Sequence, residues 1–321
     1  MIFWQCPGKG GAGILDDVMN KEQRSQLAKI LSEGIEFDCP MAQYTTFRTG
    51  GRAEAVCFPS EPHLLQQAVS YLHNEGIPFL VVGKGSNILV RDTGFKGAVI
   101  ILTGNLAGFE KPPTEEDSMW AGGGVTITKL LSHCVLNDLA GLEFLAGIPG
   151  TVGGAVFMNA GAFGKEIGGR VGEIRTVDSK GKQDVVPGTG LTYSYRQSSL
   201  AHGTIIYKVK FQLHKGDRNN IKGRIEGFLK KRRETQPLDL PSGGSVFRNP
   251  PGDYAGRLIE KAGLKGKSIG GATISTRHAN FIVNTGGATA DDILSLMNLA
   301  RERVREETGI VLEPEIKVVG L

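Results

Sequence analysis

Apolar residues recur along this chain at two periods, and the places where one period gives way to the other divide it into segments. Leu15, Val18, Met19, Leu27, Ile30 and Leu31 approximate the repeat of one helix face, so the spacing predicts an amphipathic helix over 15–31, ahead of Gly34. From Arg52 to Leu102 the pattern reads βαβ: a strand over 53–58, a helix over 61–74 and a second strand over 78–82. Short β-prone runs fill 97–102 and 171–213, with turns such as Ser179-Lys180-Gly181 between them, while 126–137 has helical spacing. Ile221, Ile225, Phe228 and Leu229 place a helix over 217–234, and Phe281 to Val283 is a further β-prone run. A last helix over 289–308 opens with a capping-box pattern, Thr289 to Asp292, and closes at Gly309. The fold class is α+β, with the major boundary expected at 214–217.

Composition narrows the classes. A chain of 321 residues exceeds the ~100–200 of one domain, so two or three domains are expected. With 22% charged and 40% hydrophobic residues, neither a disordered chain nor a membrane bundle fits. The formal net charge of +4 falls short of the basic surface of a dedicated nucleic-acid binder and leaves acidic small molecules as partners. Cys6, Cys39, Cys57 and Cys134 form no C-x-x-C pair, and a single histidine beside Cys134, His133, makes no ligand set, so no metal site is expected and buried thiols in a reducing cytoplasm are. No export leader and no run of ~20 apolar residues is visible, so a cytoplasmic protein without membrane insertion is expected.

Glycine is the outlier at 46 residues, about twice average usage. The excess concentrates in Gly83-Lys84-Gly85-Ser86-Asn87, in Gly122-Gly123-Gly124, and in Gly147-Ile148-Pro149-Gly150-Thr151-Val152-Gly153-Gly154 with Asn159-Ala160-Gly161 close behind. Glycines let backbone N–H groups converge on an anion, and Ser86, Asn87 and Thr151 add donors suited to a diphosphate. The competing reading is that such loops are only tight turns. No Walker A spacing occurs. Gly8 to Gly13 matches G-x-G-x-x-G, but Pro7 interrupts a lead too short for a central strand, so it is rejected as a dinucleotide fingerprint.

Seven segments carry a more specific resemblance: Tyr44 to Gly51, the Gly-x-Gly-Ser-Asn turn, Gly147 to Ala162, Tyr195-Arg196, Gly244 to Pro250, Ala262 to Gly266, and Leu312 to Glu315. In this order they resemble the bacterial UDP-N-acetylenolpyruvoylglucosamine reductases, the MurB family, over residues 36–320. The resemblance implies a two-subdomain FAD-binding fold of the vanillyl-alcohol-oxidase type plus a C-terminal α+β substrate domain. Residues 1–35 would be an N-terminal extension and helix. Residues 36–90 would form the first FAD subdomain, with 312–321 returning to it, 91–215 the second, and 216–311 the substrate domain. Gly83, Lys84, Gly85, Ser86, Asn87, Gly122, Gly123, Gly147, Ile148, Pro149, Gly150, Thr151, Gly153, Gly154, Asn159, Ala160 and Gly161 would hold FAD. One branch of the family inserts a tyrosine-bearing segment before the serine motif; only 48 residues separate Arg196 from Ser245 here, so the chain resembles the shorter branch and no lid tyrosine is assigned.

The implied reaction reduces the enolpyruvyl double bond of a UDP-sugar, with NADPH as reductant of the flavin, in peptidoglycan precursor synthesis. An electron-rich enol ether accepts hydride only if its carboxylate is polarised, which requires a fixed cation. By resemblance Arg196 is that cation, Ser245 the proton donor to the adjacent carbon, and Glu315 an orienting or proton-sharing partner, protonated if the site is dry. Strand alternation puts Glu313 and Glu315 on one face, and only the resemblance chooses Glu315. Tyr195, Arg248 and Asn249 are the substrate-binding candidates. Lys230 to Arg233 complement a helix end or contact the pyrophosphate. His278 and Asn280 read as a satisfied polar pair. The competing functions are a flavin oxidase of the same superfamily and a non-catalytic nucleotide-binding protein; nucleic-acid binding is remote because no aromatic platform alternates with basic residues. Purified protein is expected to be yellow, bleached anaerobically by NADPH and recoloured by the enolpyruvyl sugar; a colourless sample, or peroxide in place of reduced sugar, overturns the first reading.

Overall fold

The computed structural model describes residues 2–4, 19–110 and 117–320; the 8–13 glycine run, Cys6 and the 15–18 start of the first expected helix lie outside them. The chain folds as two compact units. The described residues of 1–39, 54–84 and 96–229 form the first, and those of 40–53, 85–95 and 230–321 the second.

The first unit contains two sheets. One has the strand order Ile2–Trp4, Phe79–Val81, Phe95–Ile100, Arg52–Cys57, Ile35–Pro40. Five consecutive buried positions in Arg52–Cys57 mark a strand covered on both faces, as parallel pairing with a crossover helix requires. That helix, α2 (Pro62–Asn74), starts on a proline that has no N–H to leave unsatisfied and buries Leu65, Ala68, Val69 and Leu72. Helix α1 (Lys21–Leu31) begins later than the apolar spacing suggests. Asn20 caps it, its side-chain oxygen accepting from Gln23 N at 2.9 Å while Gln23 Oε1 accepts from Asn20 N at 3.0 Å.

The second sheet is antiparallel, in the order Gln183–Pro187, Val171–Val177, Ile205–Gln212, Ser118–Gly122, Phe109–Glu110. Helices α3 (Ile127–Leu136) and α4 (Val152–Phe157) contribute to a core with Met119, Ile174, Val209 and Phe211. Helix α5 (Arg218–Thr235) packs Ile225, Phe228 and Leu229 against that core. Burial pushes the thiols of Cys57 and Cys134 up to about 12, which leaves both unreactive near neutrality.

The second unit is built on the antiparallel order Ser242–Ser245, Phe281–Asn284, Ala272–Ile274, Ser268–Ile269. Helices α6 (Ala255–Lys261) and α7 (Ala290–Thr308) share its core with Phe47, Leu89, Phe247, Leu312 and Ile316. A separate strand, Lys317–Val319, runs parallel to Ile88–Val90. Just before it, Pro314 bridges to Phe247, Glu315 N donates to Val246 O at 2.8 Å, and Arg248 N donates to Glu313 O at 2.9 Å. Residues 313–319 therefore pair first with 246–248 and then with 88–90. Among the described residues no helix is long and apolar enough to cross a membrane, and no group of three or more His, Cys, Asp or Glu could hold a metal ion.

The start of α7 is tied to the segment that follows Ile88–Val90. Thr289 and Asp292 form the capping box, Gly309 closes the helix at φ +74°, and the Asp92 carboxylate accepts from Ala290 N at 2.9 Å and Asp291 N at 3.0 Å. Helix-terminal N–H groups without an acceptor are costly. Asp92→Ala is expected to lower unfolding stability by about 1–2 kcal/mol, measured by urea denaturation; an unchanged midpoint would contradict the assignment.

Candidate active site

In the first unit the Phe79–Val81 strand leads to Gly83 and Lys84, both exposed. A Cβ on Gly83 would lie 2.4 Å from Thr151 Oγ1, so the two loops meet there. Among the described residues, the N–H groups of Gly83, Lys84, Gly147, Gly150, Thr151 and Gly154 have no protein acceptor. Gly147, Gly150, Thr151 and Gly154 are buried or half-buried, and such backbone donors seldom stay unpaired. The six N–H groups on two touching loops fit the oxygens of a diphosphate-bearing cofactor such as FAD.

Other glycines in the same clusters are spent differently. Gly122 N donates to Gly108 O at 2.8 Å, Gly123 N to Tyr207 O at 2.7 Å and Gly153 N to Gly123 O at 2.8 Å. A Cβ would lie 2.3 Å from Leu106 O at Gly122, 2.0 Å from Ile206 O at Gly123 and 2.7 Å from Ile206 O at Gly153. These three bring backbone against backbone, and their N–H groups have nothing left to offer a ligand. Ile148 N is likewise committed, to Leu145 O at 2.9 Å, and Ala160 N to Ala155 O at 2.7 Å; Pro149 is exposed. Asn159 is fully buried with its side chain hydrogen-bonded within the protein.

Tyr195 and Arg196 form the two-residue turn of the hairpin Tyr193–Ser194/Gln197–Ser198. Arg196 holds φ +58°, a left-handed conformation that costs an L-residue about 1–2 kcal/mol. Its Nη1 donates to Gly161 O at 3.1 Å, and the guanidinium lies 5.3 Å from the centroid of the exposed Tyr195 ring.

In the second unit Gly85 holds φ +61°, and a Cβ there would lie 2.0 Å from Tyr44 O. Its carbonyl accepts from Thr46 N at 3.2 Å, which seats the Tyr44 to Gly51 loop. Ser86 and Asn87 are half-buried, and Asn87 Nδ2 donates to Glu315 O at 3.3 Å. Ser242 pairs with Val283 and Ser245 with Phe281, so Gly243-Gly244 carries an extra residue, a β-bulge. Bulges re-aim side chains beside functional sites. The Ser245 hydroxyl, half-buried, has no hydrogen-bond partner among the described residues. Glu315, half-buried, sits on the strand segment hydrogen-bonded to Val246, whereas Glu313 is exposed. The structure thus brings Ser245, Glu315 and Asn87 onto adjoining segments. The signal for the bulge is in the sequence, as paired glycines inside a β-prone run.

Arg248 is half-buried and its Nε has no hydrogen-bond partner among the described residues. Asn249, exposed, accepts through Oδ1 from Ala255 N at 3.1 Å, an N–H of the first turn of α6. Lys230 to Arg233 lie in the last turns of α5, where Arg277 Nη1 donates to Arg233 O at 3.4 Å and Gln236 O at 3.1 Å. Arg277, which sequence reasoning did not single out, serves the carbonyl end of that helix. Asn280 exchanges two bonds with Phe247, at 3.0 and 2.8 Å, and its N donates to His278 Nδ1 at 3.2 Å. Burial holds the His278 imidazole below its usual range, consistent with a satisfied polar pair.

A model of the FAD binding domain matches residues 53–185, and one of the UDP-N-acetylenolpyruvoylglucosamine reductase C-terminal domain matches 236–319. Among curated proteins, the chain is 42% identical to the UDP-N-acetylenolpyruvoylglucosamine reductase of Geotalea uraniireducens, over 94% of this chain and 100% of that one. It is 44% identical to the reductase of the same name from Myxococcus xanthus, over 88% and 91%. Among solved structures, the crystal structure of UDP-N-acetylenolpyruvylglucosamine reductase from Thermus caldophilus aligns with a TM-score of 0.76 at 35% identity, covering 88% of this chain and 98% of that chain.

Arg196→Gly separates the turn's conformation from its charge. Relief of left-handed strain and the added freedom of the unfolded chain offset each other, so unfolding stability is expected to change by less than about 1 kcal/mol. A loss well above that in urea denaturation would show that the guanidinium holds the fold.

Proposed function

The chain belongs to the UDP-N-acetylenolpyruvoylglucosamine reductase family, and on that premise we propose that Arg196, Ser245 and Glu315 are its catalytic residues. It is an FAD-containing oxidoreductase that reduces UDP-N-acetylglucosamine enolpyruvate to UDP-N-acetylmuramate with NADPH, a step of peptidoglycan precursor synthesis. When bound, FAD supplies the hydride that adds to the terminal enolpyruvyl carbon, after its own reduction by NADPH. Everything else falls to the chain.

Arg196 binds the enolpyruvyl carboxylate, so that negative charge arriving at the adjacent carbon spreads into the carboxyl group beside a permanent cation. The Ser245 hydroxyl gives its proton to that carbon, completing the saturated lactyl ether. Glu315 orients the serine and returns the proton. The N–H groups of Gly83, Lys84, Gly147, Gly150, Thr151 and Gly154 receive the FAD diphosphate, and Ser86 and Asn87 are further FAD-binding residues. Tyr195, Arg248 and Asn249 bind the UDP-sugar, with the Arg248 Nε, which has no hydrogen-bond partner among the described residues, as a donor for its phosphates. In the same reading 36–90 with 312–321, and 91–215, carry FAD, while 216–311 carries the substrate. The enzyme works in the cytoplasm, where both UDP-sugar and NADPH are available, and neither nucleic acid nor membrane is a partner.

The observation that supports this reading most is the Ser245 hydroxyl, unpartnered at a glycine bulge and next in sequence to the residue hydrogen-bonded to Glu315. Ser245→Ala is expected to leave anaerobic flavin reduction by NADPH intact and to slow reoxidation by the enolpyruvyl sugar by about 10²–10⁴-fold. Stopped-flow absorbance follows both halves; undiminished reoxidation would remove Ser245 from the mechanism.

A further inference from the structure

We propose that Asn159 is the positioning residue that sets the guanidinium of Arg196; the inference rests on the catalytic role given to that arginine above. Two short hairpins meet at this asparagine. One is Gly161–Ala162/Lys165–Glu166, turning through Phe163 and Gly164 at φ +54° and +75°, and the other is Tyr193–Ser194/Gln197–Ser198, turning through Tyr195-Arg196. Asn159 Nδ2 donates to Glu166 Oε2 at 2.7 Å on the first hairpin and to Ser194 O at 3.0 Å on the second. Its Oδ1 accepts from Gly168 N at 3.2 Å. The residue is fully buried and holds φ +45°, a conformation that asparagine tolerates better than most residues.

Both amide hydrogens are committed to the protein, so the side chain is placed to hold the hairpins at a fixed separation rather than to bind a ligand. That separation matters because Arg196, on the second hairpin, donates through Nη1 to Gly161 O at 3.1 Å on the first. The arginine is braced across the same gap that the asparagine spans. If the hairpins drift apart, the guanidinium loses its brace and its direction, and misplacement of a catalytic group by about 1 Å can cost about 10²-fold in rate. Two other clamps keep the region folded without the amide. Ser198 Oγ donates to Phe157 O at 2.8 Å, and the Phe163 ring stacks on Phe228 of α5 at 4.4 Å between centroids.

The test uses the holoenzyme and a double-mutant cycle on Asn159→Ala and Arg196→Ala. Each single variant is expected to retain flavin and its anaerobic reduction by NADPH within about threefold, and Asn159→Ala to slow reoxidation by the enolpyruvyl sugar by about 10–100-fold. In the Arg196→Ala background, Asn159→Ala is expected to cost less than about threefold more, the signature of two residues acting through one arrangement. Asn159→Asp removes both donors, sets a second carboxylate against Glu166 and should be slow; adding Glu166→Gln restores the bond to the first hairpin but not the one to Ser194 O, so the paired variant should keep NADPH-driven reduction and stay slow in reoxidation. This pair also decides the matter if Asn159→Ala does not fold. Loss of flavin or of NADPH-driven reduction in the Asn159 variants, effects that multiply in the arginine background, or recovery of the rate in the paired variant would each overturn the proposal. If Arg196→Ala leaves reoxidation unchanged, the catalytic reading of Arg196 fails, and the positioning role with it.

Discussion

A backbone N–H inside a protein has to find an acceptor, and the source of that acceptor decides what each glycine-rich loop in this chain is for. At Gly122, Gly123 and Gly153 the acceptor is another stretch of backbone, approached so closely that a Cβ would collide with it. At Gly83, Lys84, Gly147, Gly150, Thr151 and Gly154 none of the described residues supplies one. The same abundant residue thus packs one set of segments and leaves donors open on another. The fold of the first unit depends on the first set, and its capacity for a diphosphate on the second.

The second unit solves a different problem, the exposure of a hydroxyl and a carboxylate from neighbouring strands. Gly243-Gly244 bulge out of the ladder just before Ser245 re-enters it opposite Phe281, and the 313–319 segment carries Glu315 alongside Val246 before turning to pair with Ile88–Val90. Each device uses backbone pairing to aim a side chain. Rigid strands hold such groups more closely than loops can. The hairpins around Asn159 apply the same logic in the first unit, with a buried amide in place of a ladder.

The parts of this architecture legible in the sequence are those governed by local rules. Helices α2, α3 and α7 fall where periodicity and caps put them, with Thr126, Thr289 and Gly309 at the expected ends. Helix α1 begins at Lys21 because Asn20 and Gln23 cap each other, a signal that apolar spacing alone passes over. Strands of two residues, as at 161–166 and 193–198, are too short to show any period. Which glycines keep an open N–H is not legible either, because Gly123 and Gly150 differ only in what tertiary packing brings to them. Alternation could not separate Glu313 from Glu315, yet burial does, leaving the first exposed and the second half-buried. The family resemblance located Arg196, Ser245 and Glu315, while their surroundings had to come from the coordinates.

The parallel pairing of Lys317–Val319 with Ile88–Val90 spans more than 220 residues of sequence. Closing a loop of that length is entropically costly and slow, so contacts of this kind form late. The short run 313–319 thus joins two segments far apart in the chain, 246–248 and 88–90, so a single backbone break in it releases both partners at once.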